Sequence, residues 1–337
     1  MSYLFPSSTI TFEAALRDLA SGSPRARAFA AHALGDVTDS AEKRRAGDAL
    51  IAALDDDRPE VRAEACSSLG GLADPAALAM LIRRLDDGAP AVRQNAAIAL
   101  GAIADPRGFE PLALALREGP ADLRFQAATS LAEIDPKRAF DAVSAALDDR
   151  DPQVVGAAAL ALAAIPAMCD VPAPLVARAR TALVERLDHP NDDARFEVAY
   201  ALAELGDPAG RPVLVRAASV PERAWDAATA LTTLGTAADA AALADVLADR
   251  KVPPEATVLA AGSLLRIGCD ATAAARRVLL AGLAVRKTNV RGLAVEQLAV
   301  VGGDWAVPAL EKLARSGKGA ELLESIAGAL RAIRERA

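Results

Sequence analysis

"DDDRPEVRAEACSSLGGLADP" (residues 55–75) opens on three acids and a proline, runs through a short apolar pattern and closes on Asp74-Pro75. The phrase returns as "LDDGAPAVRQNAAIALGAIADP" (residues 85–106), its closing Asp105-Pro106 falling 31 residues after the first. Proline suits the first turn of a helix, where its missing N–H would have no intrahelical partner. The residue before a proline is biased out of the α region, so Asp-Pro ends the helix. Between these marks, Val92, Ala96, Leu100 and Ile103 fall on one stripe at three-to-four spacing. The preceding "PAALAMLIRRL" (75–85) has the same periodicity with charges on its other face. Each unit therefore reads as two helices joined by an acidic turn.

Anchoring every unit on the arginine of "P-x-V-R" extends the pattern along the chain. The position falls at Arg27, Arg62, Arg93, Arg124, Val155, Arg195, Ala224, Thr257, Arg291 and Leu323, with spacings of 35, 31, 31, 31, 40, 29, 33, 34 and 32 residues. About ten units result. One pair of helices cannot bury its own apolar stripe, so neighbouring copies must stack to share a core.

Composition agrees. The 337 residues are 53% hydrophobic but only 3% aromatic, with alanine supplying about a quarter of the chain. Alanine is the best helix former and lets helices approach closely. No alternating run of β-branched or aromatic residues points to a sheet. The class is all-α. The net charge of −7 argues against a nucleic-acid-binding surface along the whole chain. It is unevenly placed, since 251–337 carries 13 basic and 8 acidic residues against 25 and 37 in the remainder.

Cys66, Cys169 and Cys269 are an odd number without a close pair, which suggests reduced core thiols in a cytoplasmic protein. The first residues, "MSYLFPSSTITFEAAL", have neither a basic start nor a long apolar run and do not read as a signal peptide. The uncharged run at 154–169 is 16 residues long, short of a bilayer span and interrupted by Pro166, so membrane insertion is not expected. Residues 1–11 read as an N-terminal arm and 12–337 as one array with an irregular proline-rich junction at 164–176.

These units resemble the HEAT-repeat superfamily, most closely the short HEAT-like repeats named after the phycobilisome lyases. The resemblance covers nearly the whole chain and implies a right-handed α-solenoid of about ten helix pairs. It also implies that the anchor arginine pairs with an acid of the preceding turn, here Asp56 before Arg62, Asp87 before Arg93 and Glu118 before Arg124. The second helices would line the concave surface.

Chemistry is hard to find. His32 lies on a second helix and His189 in a turn, far apart, with no metal-ligating pair, and the repeated His-Glu pairs of HEAT-like hydroxylases are missing. "RSGKGA" (315–320) lacks the spacing of a phosphate-binding loop, and no nucleophile elbow occurs. No cofactor and no catalytic residue is assigned.

One constellation is distinctive. Positions one, two, five and nine after the anchor are expected to project from the packed stripe. They hold Phe125, Gln126, Thr129 and Glu133 in one unit, Phe196, Glu197, Tyr200 and Glu204 in another, and Trp225, Asp226 and Thr229 in the next. Four of the chain's 11 aromatics are among them. Aromatics beside acids form a plausible groove for a basic or amphipathic protein segment. The competing reading makes these rings wedges between helices. A binding scaffold for a protein or peptide is thus the leading function. The alternatives are a lyase/isomerase or alkylated-DNA glycosylase of HEAT type, or nucleic-acid contact through Arg276, Arg277, Arg286, Lys287 and Arg291.

Overall fold

The Asp-Pro steps end one unit and begin the next. Asp74, Asp105 and Asp207 each accept the N–H two residues ahead at 2.9 Å, capping a 3-10 turn that leads into the following helix. Just before two of these caps the chain leaves its helix through a left-handed alanine, Ala73 at φ 51° and Ala104 at φ 53°. Before the third, Gly206 takes this conformation at φ 70°.

The computed structural model describes residues 10–169, 172–234, 240–268 and 272–336. Among these there are twenty α-helices and no strand. Nine pairs of consecutive helices pack together: α1 (Phe12–Ser21) with α2 (Pro24–Gly35), α3 (Ser40–Ala53) with α4 (Pro59–Leu72), and α5 (Leu78–Arg84) with α6 (Pro90–Ile103). Next come α7 (Phe109–Glu118) with α8 (Ala121–Ile134) and α9 (Pro136–Ala145) with α10 (Pro152–Met168); α11 (Ala173–Val184) and α12 (Asp192–Glu204) follow in chain order. The last pairs are α13 (Arg211–Ala217) with α14 (Ala224–Leu234), α15 (Ala240–Ala248) with α16 (Pro254–Ile267), α17 (Thr272–Gly282) with α18 (Thr288–Val301), and α19 (Val307–Ala314) with α20 (Leu323–Arg336). Residues 1–9 of the expected arm, and Cys269, lie outside the described residues.

The chain divides into two compact units, Met1–Ala182 and Leu183–Ala337. The division falls inside α11, beyond the proline-rich stretch at 164–176. In the first unit α2, α4, α6, α8 and α10 stack each on the next; in the second, α12, α14, α16, α18 and α20 do the same. Small residues let these second helices come close. A Cβ on Gly70 would lie 2.9 Å from the Ala99 Cα, and one on Gly101 would lie 3.0 Å from the Ser130 Cβ. Between the layers, Leu50, Leu69, Leu81, Leu100, Leu112 and Leu131 are fully buried.

The anchor arginines staple successive turns, but with the opposite polarity to that expected. Arg62 donates to the backbone carbonyl of Asp56 at 2.9 Å, and its other edge reaches forward to both oxygens of Asp87 at 2.8 and 2.9 Å. Arg27 grips Asp56 in the same way, Arg93 takes the Asp87 carbonyl and the Asp122 carboxylate, and Arg124 takes the Gly119 carbonyl and Asp149. The preceding turn thus supplies a carbonyl and the following unit the acid. Glu118, expected to hold Arg124, pairs with Arg117 instead. The receiving acids are doubly used, because Asp56, Asp87 and Asp149 also accept the N–H two residues on. Burial alone would raise their pKa values; the arginine and N–H bonds outweigh it and hold all three below the usual aspartate range.

The ladder stops at Val155. In the second unit Arg195 turns back to Asp192 and to the His189 carbonyl, Ala224 has no donor, Thr257 donates to the Pro254 carbonyl of its own turn, and buried Arg291 finds the carbonyls of Val285 and Arg286 and the Thr288 hydroxyl.

A second set of links joins first helices. Arg45 lies 5.0 Å over the Phe12 ring and pairs with Glu13; Arg138 lies 4.0 Å over Phe109 and pairs with Glu110; Arg178 lies 4.8 Å over Phe140 and pairs with Asp141.

The proline in the uncharged run and the two histidines find their places. Pro166 does not interrupt α10, because it sits in the last turn and costs a single backbone bond. His189 is not simply solvated: its Nδ1 accepts the Asn191 N–H at 3.1 Å. His32 bridges α2 to α4 through Glu64 at 2.7 Å. Cys66 is a free core thiol, its pKa pushed up to about 12 by burial, and no helix among the described residues is long and apolar enough to cross a membrane.

The staples make the first unit acid-sensitive. A carboxyl whose folded pKa is depressed contributes stability that is complete above its unfolded pKa, about 3.9, and is lost as pH falls through the folded value. Arg62→Ala should cost roughly 2–3 kcal/mol at neutral pH, somewhat under the usual loss from breaking a buried pair because Arg84 still reaches Asp87 at 3.3 Å. That loss should shrink as pH drops below about 4, whereas Arg291→Ala, which breaks no carboxylate bond, should cost about 1–2 kcal/mol at every pH. Urea titrations across pH would show it; parallel pH profiles for the two variants would contradict the staple assignment.

Ala104→Gly supplies a second check. The left-handed region costs an L residue roughly 1–2 kcal/mol, and glycine returns about 0.4–1 kcal/mol of that as unfolded-chain entropy. The urea midpoint should rise by the equivalent of about 0.5–1 kcal/mol at unchanged slope. A lower midpoint would mean that Ala104 is not strained.

Candidate functional site

At about 100° per residue, the fifth and ninth positions after the anchor point away from the buried stripe, whereas the first lies about 80° from the ninth, on the helix flank. The structure follows this geometry. Ile98, Leu160, Glu204 and Val300, at the fifth or ninth position, are exposed, whereas the first position is mixed: Ala28, Ala63, Phe196 and Val258 are buried, Phe125 and Trp225 exposed. Phe196 is not a projecting residue. It is 5% exposed, belongs to the core with Leu214, Ala227 and Leu231, and lies under the Arg223 guanidinium at 5.4 Å. For this ring the wedge reading holds.

Phe125 and Glu133 lie on α8 in the first unit, apart from the other candidates in the second. Phe125 is exposed, and Glu133 has its pKa raised by burial. On α12 and α14 the remaining residues do come together. Glu197 has its carboxyl raised first by burial and then by the charge of Asp226, with Arg223 opposing. Tyr200 is half-buried, its ring 6.4 Å from that of Phe196, and its hydroxyl is raised by burial and then by Glu204, Asp226 and Glu197. Three carboxylates from two stacked helices thus surround one phenol.

Trp225 adjoins them on α14 at 41% exposure. The nearby cation Arg223 is already engaged, bonded to Asp193 and laid over Phe196. Arginines cover five rings: Phe12, Phe109, Phe140, Phe196 and Trp305. Among the described residues none covers Trp225 or Phe125. The sequence did not reveal this division, because each covering arginine comes from a different helix than its ring. The basic cluster loses a member too, since Arg291 is 5% exposed and serves its own turn, and Arg276 lies 5.1 Å over Trp305. No group of three or more His, Cys, Asp or Glu among the described residues could hold a metal ion.

Residues 47–124 and 109–182 match the family model described as HEAT repeats, and residues 194–219 match that of the PBS lyase HEAT-like repeat. The chain contains HEAT repeats. A search of curated protein sequences finds no match. Among solved structures, an engineered protein aligns at 23% identity over 97% of this chain and 99% of its own, with a TM-score of 0.47. YibA of Escherichia coli aligns at 17% identity over 98% and 99%, with a TM-score of 0.49. The complex of CpcE and CpcF of phycocyanin lyase from Nostoc aligns at 25% identity over 86% and 98%, with a TM-score of 0.39. At these TM-scores none of the three bears on function. In the HEAT unit the α12–α14 patch occupies the second-helix row, the row in which small residues keep neighbouring helices close.

The two ring types should behave oppositely on truncation. Phe196→Ala should open a cavity costing about 3–5 kcal/mol and lower the melting temperature sharply. Trp225→Ala should stay within about 0.5 kcal/mol of the parent. Equal melting temperatures for the two variants would overturn the assignment of Phe196 to the core.

Proposed function

We propose that this protein is a non-catalytic binding protein whose α12–α14 face holds a basic or amphipathic segment of a partner protein. The observation that carries this reading is the exposed Trp225 ring, uncovered by any described arginine and next in the chain to Asp226, whose charge acts on Glu197 and Tyr200. Five other rings are covered by the chain's own arginines. A partner's arginine or lysine can do the same for Trp225, with the carboxylates neutralising its charge. Cation–π contacts are worth about 0.5–1 kcal/mol in water and about 2 when desolvated. Tyr200 and the stems of the acids supply the apolar remainder of the contact.

The test is capture of partners from native lysate, identified by mass spectrometry and then measured as purified pairs. Trp225→Ala combined with Glu204→Gln should weaken the principal partner at least about 30-fold, the equivalent of about 2 kcal/mol, with no change in melting temperature. Affinity should also fall on acidification, because Glu197 has a raised pKa and becomes neutral at a higher pH than an ordinary glutamate. A partner that binds both proteins equally, or one lacking a basic segment, would sink this reading.

A further inference from the structure

The opposite charge meets an apolar groove between α17 and α19. Its volume is about 690 Å³, within the size range of ligand and side-chain pockets. The floor is aliphatic, formed by Leu280, Leu283, Ala309 and Leu313, and Lys312 and Lys318 stand exposed at its edge. Neither lysine forms an ion pair among the described residues. The neighbouring sequence adds to the same sign: from Thr272 to Lys287 the chain carries Arg276, Arg277, Arg286 and Lys287 and no acid, with Arg276 laid over Trp305 and Lys287 paired with Glu255. On α19 the acid Glu311 is taken by Arg315 at 3.2 Å and Arg334 at 3.7 Å. An apolar trough with spare positive charge is thus left open.

We infer that this groove is a second docking surface, for an acidic amphipathic protein segment that seats leucine or phenylalanine side chains on the aliphatic floor and its carboxylates on Lys312 and Lys318. Charge complementarity selects the sign of the partner. The aliphatic floor selects a protein segment over a nucleic-acid backbone, whose phosphates would find nothing to bind there. The site differs from the α12–α14 face in position and in polarity, so either can fail alone. Together they make the chain an adaptor between a basic and an acidic partner.

The experiment uses the full chain and a fluorescein-labelled peptide, Glu-Glu-Leu-Asp-Asp-Leu-Glu-Glu-Phe, followed by fluorescence anisotropy. The parent should bind it, and Lys312→Glu with Lys318→Glu should weaken binding by about tenfold or more. Ala309→Trp, which fills the floor without altering charge, should do the same, with circular dichroism and melting temperature confirming a folded protein. Trp225→Ala should leave binding unchanged, which separates this groove from the α12–α14 face. The inference is overturned if the parent does not bind the peptide or if the lysine variant binds as well as the parent. It is also overturned if a peptide with serine in place of its leucines and phenylalanine binds equally, which would be plain charge attraction. Displacement of the peptide by oleate or by a single-stranded oligonucleotide at lower concentration would likewise replace the protein segment with a lipid or a nucleic acid.

Discussion

A guanidinium that reaches two successive turns is the contact on which the first half of this molecule depends. Each arginine ties the carbonyl of its own turn to the carboxylate of the next unit, and three of the four carboxylates, Asp56, Asp87 and Asp149, in turn cap their own turns. Removing the arginine therefore disturbs two turns at once. The register between units follows from it, because a guanidinium bonded at both edges permits little sliding of one helix pair against the next. Stacked second helices with small residues at the contact then have a fixed distance at which to pack.

The repeat itself was legible from the sequence because its signals are local. Proline at a helix start, aspartate before proline and arginine a few residues on are all read within one unit, and their spacing anticipates the succession of twenty helices among the described residues. What crosses between units was not legible. An acid six residues before Arg62 and another in the following turn are both present, and only the fold shows that the guanidinium takes the second. The links from Phe12, Phe109 and Phe140 to arginines one unit further on were missed for the same reason.

The candidate face was half legible. Counting positions along a helix identified Glu197, Tyr200, Glu204 and Asp226, which the fold brings together. It failed for Phe196, because a position on the helix flank is buried or exposed according to what the adjacent helix presents, and here that is the alanine-rich side of α14 and a covering arginine. Whether a ring is structural or available is thus decided by a cation on another element.

The ladder's end at Val155 has a mechanical consequence. Within the first unit, pulling the ends apart must shear bidentate ion pairs between successive turns, each loaded along its bonds. In the second unit the described anchor arginines turn to groups of their own turn, and the links between units are pairs such as Lys287 with Glu255 and Arg223 with Asp193, whose acid side chain faces solvent in the second case. The first unit therefore resists extension through its buried rungs more than the second does. The face proposed to hold a partner lies where one such pair, Arg223 with Asp193, ties the units, and a guest that parts them must break it.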